Sequence, residues 1–262
     1  MTTTELIKQW KEEESAAHIR GWDFSHIANR HTEPEDLPWD YRETIFKYLH
    51  PDMHILDMDT GGGEFLLSLG HPHHNTAATE GYSPNVQLCQ ETLVPLGIDF
   101  RQWDGKSVLP FDDNTFDMVL NRHGDFNAQE IFRVLKPGGL FITQQVGAEN
   151  DRELVDLLLP ESVPLPFPEQ NLDVTEDKFC QAGFEIIDGQ EAFRPIRFYD
   201  VSALVWFARI IEWEFPGFSV DACLPQLMET QRQIEDNGFV EGRIHRFILV
   251  ARKSAKKDLT IL

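Results

Sequence analysis

The sequence predicts an α/β fold built on a mainly parallel sheet. Short apolar runs alternate with segments of helical periodicity between residues 54 and 145, and glycine or proline stands at several of the junctions. Strands that alternate with helices are typical of right-handed crossover connections, which join neighbouring parallel strands. We therefore expect a single sheet with helices on both faces.

The elements of this alternating region follow in order along the chain. The first predicted strand, His54–Met58, runs into a glycine cluster, and a helix resumes at Glu64–Leu69. A helix at Asn85–Leu96 is expected to end where Pro95 and Gly97 stand. The other predicted elements are strands at Thr76–Glu80, Ile98–Trp103, Phe116–Asn121 and Leu140–Gln145 and a helix at Ala128–Leu135.

The pattern changes beyond residue 150. A helix is expected at Thr175–Ala182, with Thr175 as its N-cap, followed by a strand at Phe184–Asp188. Two helices of apolar periodicity, Val201–Glu212 and Asp221–Asn237, precede a final strand at Ile244–Arg252. We interpret the chain as a single domain, residues 1–262, composed of an N-terminal helical cap at 1–45, a core at 46–150 and a helical insert at 196–243.

The charge of the chain disfavours polyanionic partners. It contains 44 acidic and 23 basic residues, for a net charge of −21, so its mean field repels phosphate backbones. The one basic cluster, Arg252–Lys257, is expected to be part of a solvated tail. Nucleic acid is therefore disfavoured as a partner, and the chain is expected to be a monomer or a homodimer.

No apolar run approaches the roughly 20 residues that span a bilayer, so no membrane association is expected. The polar, acidic start of the chain resembles neither a secretory signal nor a transit peptide, and we expect a cytoplasmic protein. The widely spaced Cys89, Cys180 and Cys223 predict reduced thiols. The histidines at 71, 73 and 74 are expected in a solvent loop, and no metal site is predicted.

A glycine-rich turn is the first feature with chemical content. The residues from Asp57 to Glu64 read DMDTGGGE and directly follow the first strand. Glycines at such a turn let backbone N–H groups approach a ligand, although similar turns also bind dinucleotides or serve only as tight turns. Glu80 ends the second strand, where an acidic side chain can accept hydrogen bonds from ribose hydroxyls.

Two further motifs indicate which cofactor the glycine-rich turn binds. Gln102–Gly105 ends the third strand, and Leu135–Leu140, which reads LKPGGL, leads into the fifth. Together with the glycine-rich turn and Glu80, these motifs resemble the class I S-adenosylmethionine-dependent methyltransferases over roughly residues 40–146. The resemblance implies a Rossmann-like, seven-stranded, mainly parallel sheet whose last strand is antiparallel, a part that Ile244–Arg252 fits.

The resemblance also implies a set of residues that bind S-adenosyl-L-methionine. The methionine end of the cofactor would contact Asp57 and the backbone of Gly61, Gly62 and Gly63. Glu80 would bind the ribose, and Tyr82 would line the adenine pocket. Asp104 would accept a hydrogen bond from the adenine amine, with Gly105 beside it, and Asn121 would face the reactive methyl group.

Asp59 departs from the family pattern, which commonly has glycine at this position. Asp tolerates left-handed backbone angles better than most residues, so we expect the turn to form. Its carboxylate would then lie near the cofactor, where it either weakens binding or meets the cofactor's ammonium group.

The acceptor side is less defined by sequence. His123, just after the fourth strand, is a candidate general base, with simple packing as the equal alternative. The insert 196–243 is interpreted as a lid, and the predicted partner is a small-molecule methyl acceptor. A cavity lined by Trp22, His123 and this insert would suit a small aromatic or amphiphilic acceptor. The alternatives are an RNA base methyltransferase, a non-catalytic S-adenosylmethionine-binding module and, more weakly, a nicotinamide-dependent oxidoreductase.

Overall fold

The computed structural model describes residues 1–19, 23–34 and 36–255. Trp22, Lys256 and Lys257, which the sequence interpretation uses, lie outside the described residues. The chain divides into two compact units. Unit 1 comprises Met1–Leu37, Gly147–Glu169 and Ala192–His245, and unit 2 comprises Pro38–Val146, Gln170–Glu191 and Arg246–Leu262.

The helices and strands alternate through most of the chain. The α-helices are α1 Thr3–Ala16, α2 Tyr41–Phe46, α3 Glu64–Ser68, α4 Ser83–Thr92, α5 Ala128–Val134, α6 Arg152–Leu158, α7 Leu172–Gln181, α8 Val201–Ile210 and α9 Leu224–Asn237. The strands are β1 His31–Thr32, β2 Ile55–Met58, β3 Thr76–Glu80, β4 Asp99–Gln102, β5 Phe116–Arg122, β6 Leu135–Val146, β7 Phe184–Phe198 and β8 Val240–Lys253.

The sheet has the strand order β1-β7-β8-β6-β5-β2-β3-β4. The neighbours from β6 through β5, β2 and β3 to β4 are all parallel, as the alternation of strands and helices predicts. Strand β8 pairs antiparallel with β6, with Leu140 opposite Arg252, which confirms the antiparallel closing strand. The seven expected strands are β2 to β8. The two-residue β1, antiparallel to β7, is an eighth, and it is too short to leave a periodic signal.

Several predicted boundaries were wrong for local reasons. Thr175 is not the N-cap of α7; Asn171 is, since its side chain accepts the N–H of Val174, while the Thr175 hydroxyl bonds the Asn171 carbonyl. Strand β7 continues well past the predicted end at Asp188. Helix α4 ends at Thr92 and is followed by a 3₁₀ turn, Val94–Leu96, instead of continuing to Leu96.

Unit 2 has a hydrophobic core on each face of its strands. Alternate residues of β5 separate accordingly: Val119 belongs to one core and Met118 to the other. The Val119 side includes Ile131 of α5 and Phe179 of α7. The other side contains residues of α2, α3 and α4, namely Ile45, Leu66 and Cys89. Helices on both faces are therefore confirmed within this unit.

Unit 1 is built around α8. Every residue from Val201 to Ala208 is buried, and this helix packs with α1, whose Trp10 is in the same core. The insert 196–243 lies entirely within this unit. Four of its aromatic residues, Trp206, Phe207, Phe215 and Phe218, are core residues, whereas Trp213 is exposed. The role of the insert as a lid stays a prediction. Among the described residues, none of the helices is long and apolar enough to cross a membrane.

Lys253 corrects the interpretation of the basic C-terminal cluster as a solvated tail. It belongs to β8 and is buried, and its ammonium donates to Asn114 Oδ1 (2.9 Å), the Phe132 carbonyl (2.6 Å) and the Leu135 carbonyl (2.7 Å). The two carbonyls lie at the carboxyl end of α5, whose dipole favours a cation. Lys253 therefore ties the last strand to the end of this helix.

Replacing this lysine is expected to destabilise the fold. Lys253→Met replaces the aliphatic stem of lysine with an unbranched side chain of similar length but leaves three acceptors without their donor. We therefore expect the free energy of unfolding to fall by about 3 kcal/mol, measured by urea unfolding. Lys136→Met, which removes an ion pair between Lys136 and Asp117 at the surface, is the control and should cost less than about 1 kcal/mol. Equal losses in the two variants would contradict the assigned role of Lys253.

Candidate functional site

The predicted binding residues gather at one edge of the parallel strands. In the sheet register, Met58 at the end of β2 pairs with Asn121, near the end of β5, and Glu80 closes β3 opposite Gln102 of β4. Because parallel strands end at the same edge, the loops after β2, β3, β4 and β5 begin side by side. Ligands of open α/β sheets bind outside this carboxyl edge.

The turn after β2 requires its special residues. Asp59, Gly61 and Gly63 all have left-handed backbone angles, with φ of 53°, 65° and 84°. The expectation that Asp59 permits the turn is thus confirmed. At Gly63 a side chain would also collide with Leu93, whose Cδ2 lies 2.7 Å from where a Cβ would stand. The turn is anchored to β3 by a hydrogen bond from the Thr60 N–H to the Thr79 carbonyl (3.0 Å).

Glu80 holds two loops together. One carboxylate oxygen, Oε2, accepts the N–H of Gly61 in the glycine-rich turn (2.8 Å). The other, Oε1, accepts the N–H groups of Gly81 and Tyr82 after β3, both at 2.8 Å. The residue is 6% exposed, so these bonds are shielded from water. Glu80 thereby fixes the turn and keeps its carboxylate at the strand end, where a ribose is expected.

Asp57 and Asp59, at the start of the turn, both have raised pKa values. Burial raises the pKa of Asp57 to about 7, although the Thr60 hydroxyl donates to its Oδ2 at 2.6 Å. Burial also raises the pKa of Asp59 to about 7, and the negative charges of Glu80, Asp125 and Asp57 add to the effect. Asp59 accepts no hydrogen bond from any residue in the described part of the chain.

None of Asp57, Asp59 and Glu80 forms an ion pair with a residue in the described ranges, although the positive charge of Arg122 lowers the pKa of Asp57 in part. S-adenosylmethionine carries an ammonium group, a positively charged sulfonium and ribose hydroxyls. Carboxylates without an ion-pair partner can accept from the ammonium group and the hydroxyls of such a molecule and stabilise its positive charge. The residues therefore fit the cofactor that the motifs imply.

The histidines at 71, 73 and 74 do not form a cluster that could hold a metal. His71 is buried, and its Nε2 bonds the Met53 carbonyl at 2.8 Å. Within residues 1–19, 23–34 and 36–255, no group of three or more His, Cys, Asp or Glu side chains is arranged to hold a metal ion.

The residues expected to bind adenine lie at the ends of β3 and β4. Tyr82 is 60% exposed and stands at the N-terminus of α4. Asp104 Oδ1 accepts the N–H groups of Lys106 and Ser107 and the Ser107 hydroxyl, and these bonds lower the pKa of Asp104 to about 2. Gly105 turns the chain with φ of 76°. Asp104 is thus an ionised acceptor held in a fixed local turn.

Asn121 is the centre of a buried polar cluster. It is 0% exposed, and its amide donates to the Met58 carbonyl (3.3 Å) and accepts from Gln145 Nε2 (2.5 Å) and the Thr143 hydroxyl (3.4 Å). Gln145 Oε1 is buried without a partner in the described chain. The Tyr41 hydroxyl donates to the Asn121 carbonyl at 3.1 Å. The end of β5 is therefore held from several directions.

His123, the predicted base, lies in a hydrogen-bonded chain. Trp39 Nε1 donates to Gln144 Oε1 (2.8 Å), which leaves the Gln144 amide nitrogen facing His123 Nε2 at a long 3.5 Å. Since tryptophan can only donate, the amide orientation is set and His123 Nε2 is left as the acceptor. Desolvation of the imidazole by surrounding protein atoms, with Arg246 and Arg122 nearby, lowers its pKa to about 3. The residue is nevertheless accessible to solvent.

Four contributors were not identified as site residues from sequence. Tyr41 has the spacing of a core residue, and Trp39 was interpreted as either capping a site or packing. Cys89 donates from its thiol to the Gly61 carbonyl (3.1 Å). Gly124 passes so close to Asp59 that a Cβ there would lie 2.5 Å from its Oδ2. For Gly124, its position directly after the candidate His123 could have indicated a site residue from the sequence.

Relatives of known function share the central segment. Residues 56–143 match the protein family described as "Methyltransferase domain". Over 98 residues the chain is 35% identical to a phthiotriol/phenolphthiotriol dimycocerosates methyltransferase of Mycobacterium tuberculosis, which covers 35% of this chain and 36% of that protein. Over 121 residues it is 31% identical to a demethylmenaquinone methyltransferase of Lactiplantibacillus plantarum, which covers 41% of this chain and 51% of that protein. The chain thus spans about half or less of these relatives.

Solved structures share the fold over more of the chain. A functionally unknown protein from Deinococcus radiodurans R1 has a TM-score of 0.57 at 15% identity and covers 85% of this chain and 90% of its own. A putative methyltransferase from Bacillus halodurans C-125 has a TM-score of 0.54 at 17% identity, with coverage of 81% and 98%. The strand order, the strand-end motifs and the matched family agree. The chain therefore carries a class I S-adenosylmethionine-dependent methyltransferase domain on a Rossmann-like fold.

Proposed function

We propose that this chain transfers a methyl group from S-adenosyl-L-methionine to a small-molecule acceptor. The observation that carries the proposal is the cluster of Asp57, Asp59 and Glu80. It lies beside a glycine-rich turn at the carboxyl edge of a methyltransferase domain, and none of its carboxylates forms an ion pair with a described residue. Carboxylates in such surroundings are stabilised by a positively charged ligand.

Different residues of the site would bind different parts of the cofactor. Asp57 and the turn Gly61–Gly63 would bind the methionine end, and Glu80 would accept from the ribose. Tyr82, Asp104 and Gly105 would hold the adenine, and Asn121 would stand beside the reacting methyl group. When bound, the cofactor supplies a methyl group already activated by its sulfonium. The protein's part is then to align the acceptor and to exclude water.

For His123 we propose the role of a neutral hydrogen-bonding group. A general base works best with a pKa near the operating pH, and an imidazole whose pKa is about 3 holds a proton poorly at neutral pH. Its Nε2 also faces the Gln144 amide. An acceptor that is nucleophilic without losing a proton, or that loses it after the transfer, suits such a site.

A small molecule is favoured over RNA as the acceptor. The net charge of −21 opposes binding of a polyanion. The two relatives described above are named for phthiotriol and phenolphthiotriol dimycocerosates and for demethylmenaquinone, which are small molecules rather than nucleic acids. These names support the class of acceptor proposed here and not its identity.

The test is calorimetry with the cofactor, followed by turnover. Titration with S-adenosylmethionine at neutral pH is expected to give one site with a Kd in the micromolar range, about 8 kcal/mol of binding free energy. A panel of small hydroxylated, amino and quinol acceptors is then assayed by release of S-adenosylhomocysteine. His123→Gln should keep at least a tenth of the wild-type turnover, since a side chain that is not a base loses less than the ~100-fold typical of a general base. Absence of cofactor binding would remove the proposed function.

A further inference from the structure

Asp59 places a charged side chain at a position where the turn does not require one. The family pattern commonly places glycine here, and glycine would satisfy the left-handed φ of 53° without strain. Asp59 instead directs its carboxylate towards the end of β5. A Cβ placed on Gly124 would lie 2.5 Å from Asp59 Oδ2 and 2.8 Å from Asn121 Nδ2. The carboxylate therefore lies close to the residue expected to stand beside the methyl group.

The charged groups that shift the pKa of Asp59 are all negative. Burial raises this pKa to about 7, and the charges of Glu80 from β3, Asp125 after β5 and Asp57 from β2 add to the effect. No donor among the described residues bonds the carboxylate, and no described cation pairs with it. A positive charge that arrives from outside the protein stabilises the ionised form of such a group.

The proposed reaction changes the charge of the ligand. The methyl–sulfur bond of the sulfonium breaks, its electron pair stays on sulfur, and a bond forms between the methyl carbon and a lone pair of the acceptor. S-adenosylmethionine carries one net positive charge, whereas S-adenosylhomocysteine has a neutral thioether and no net charge. A carboxylate near the sulfur therefore interacts differently with substrate and product.

We propose that Asp59 makes the site discriminate by charge, so that it binds the sulfonium cofactor more tightly than the thioether product. This inference rests on the proposed function. It concerns a carboxylate that the family pattern does not require, and it assigns to that carboxylate a defined effect: retention of S-adenosylmethionine and easier release of S-adenosylhomocysteine.

The discrimination depends on pH with a defined sign. The ligand-free protein has a raised Asp59 pKa, so ionising this group in the folded state costs free energy. The free energy of unfolding therefore falls as pH rises from about 4, where the unfolded chain ionises, to about 7, where the folded protein does. A cationic ligand favours the ionised carboxylate, so its binding releases protons below that pH. The preference for S-adenosylmethionine is therefore larger at about pH 8 than at about pH 6.

The experiment compares both ligands by calorimetry in the full chain, at about pH 6 and pH 8 and in buffers of different ionisation enthalpy. Asp59→Asn keeps the shape and the tolerance of a left-handed φ, and Asp59→Gly restores the family residue. We expect either change to reduce the affinity ratio of S-adenosylmethionine to S-adenosylhomocysteine by about tenfold at the higher pH, as one pKa unit of interaction corresponds to tenfold. In both variants, the number of protons released when S-adenosylmethionine binds at about pH 6 should also be smaller than in the wild type.

Asp52→Asn is the matched control, because Asp52 is an exposed aspartate that precedes β2 at the opposite edge of the sheet. It should leave the affinity ratio and proton release unchanged. If both Asp59 variants bind the two ligands with the wild-type ratio, the inference is overturned while the proposed function stands. If the wild type binds S-adenosylmethionine at neither pH, the proposed function fails as well. Circular dichroism of each variant establishes that it is folded.

Discussion

Glu80→Ala is expected to lower the affinity for S-adenosylmethionine by about a hundredfold or more and the free energy of unfolding by about 3–5 kcal/mol. The carboxylate accepts N–H groups from Gly61, Gly81 and Tyr82, all at 2.8 Å, in a residue that is 6% exposed. Alanine leaves these donors unpaired, and each unpaired buried donor costs about 1–3 kcal/mol. The glycine-rich turn also loses its tie to the loop after β3.

Two further variants separate charge from structure. Glu80→Gln keeps the size of the side chain, but its amide nitrogen faces N–H groups on one side, so one loop loses its acceptor while the other keeps it. We expect losses of affinity and stability between those of wild type and Glu80→Ala. Glu91→Ala, at an exposed position on α4, should change neither by more than about 0.5 kcal/mol. Calorimetry and urea unfolding measure both quantities, and a Glu80→Ala chain with wild-type stability would contradict the bridging role.

The arrangement of the candidate site was accessible from sequence because it follows the ends of strands. Asp57, Glu80, Asp104 and Asn121 each stand at or just beyond a predicted strand, and parallel strands bring their carboxyl ends to one edge. The left-handed turn was also predictable, since its residues are glycines and an aspartate that tolerates positive φ. Hydrophobic periodicity and the residue types of a turn depend on residues close together in the chain, so both can be recognised in a single sequence.

The parts that sequence did not predict depend on contacts between distant segments. Lys253 appeared as one basic residue in a polar tail, whereas its acceptors lie near α5, far away along the chain. The hydrogen-bonded chain Trp39–Gln144–His123 likewise joins three residues of unit 2 that lie far apart in sequence. Each of the two units also takes its residues from three segments that alternate along the sequence. No local pattern records these pairings.

The pKa of His123 changes what the acceptor side is expected to do. Sequence position alone made the residue a candidate base, because an unperturbed histidine titrates near neutral pH. Surrounding protein atoms and two nearby arginines lower its pKa to about 3, which position in sequence does not reveal. Burial likewise raises the pKa values of Asp57 and Asp59; like charges add to the effect at Asp59, whereas Thr60 and Arg122 oppose it at Asp57. The electrostatics of this edge therefore favour a cation at the carboxylates and a neutral group at His123.

Gly124→Ala is expected to weaken binding of S-adenosylmethionine by about 10- to 100-fold, because the added methyl group has no space. Its Cβ would lie 2.7 Å from the Asp59 Cβ and 2.8 Å from Asn121 Nδ2. The first of these atoms is attached to the backbone of the glycine-rich turn, so the turn itself has to move. A misplacement of about 1 Å in a positioned site can cost 10²-fold.

The control and the double variant identify the contact responsible. Gly189→Ala also produces a short contact, but with the flexible end of the Glu176 side chain, which can rotate away, so cofactor affinity should not change. In the Asp59→Gly background, the Gly124→Ala change no longer meets the Asp59 side chain, and we expect at least half of its binding penalty to disappear. Residues in contact typically couple by about 0.5–3 kcal/mol in such a cycle. Additive penalties would show that Gly124 acts through Asn121 or the backbone, and the space between Asp59 and Gly124 would then not determine binding.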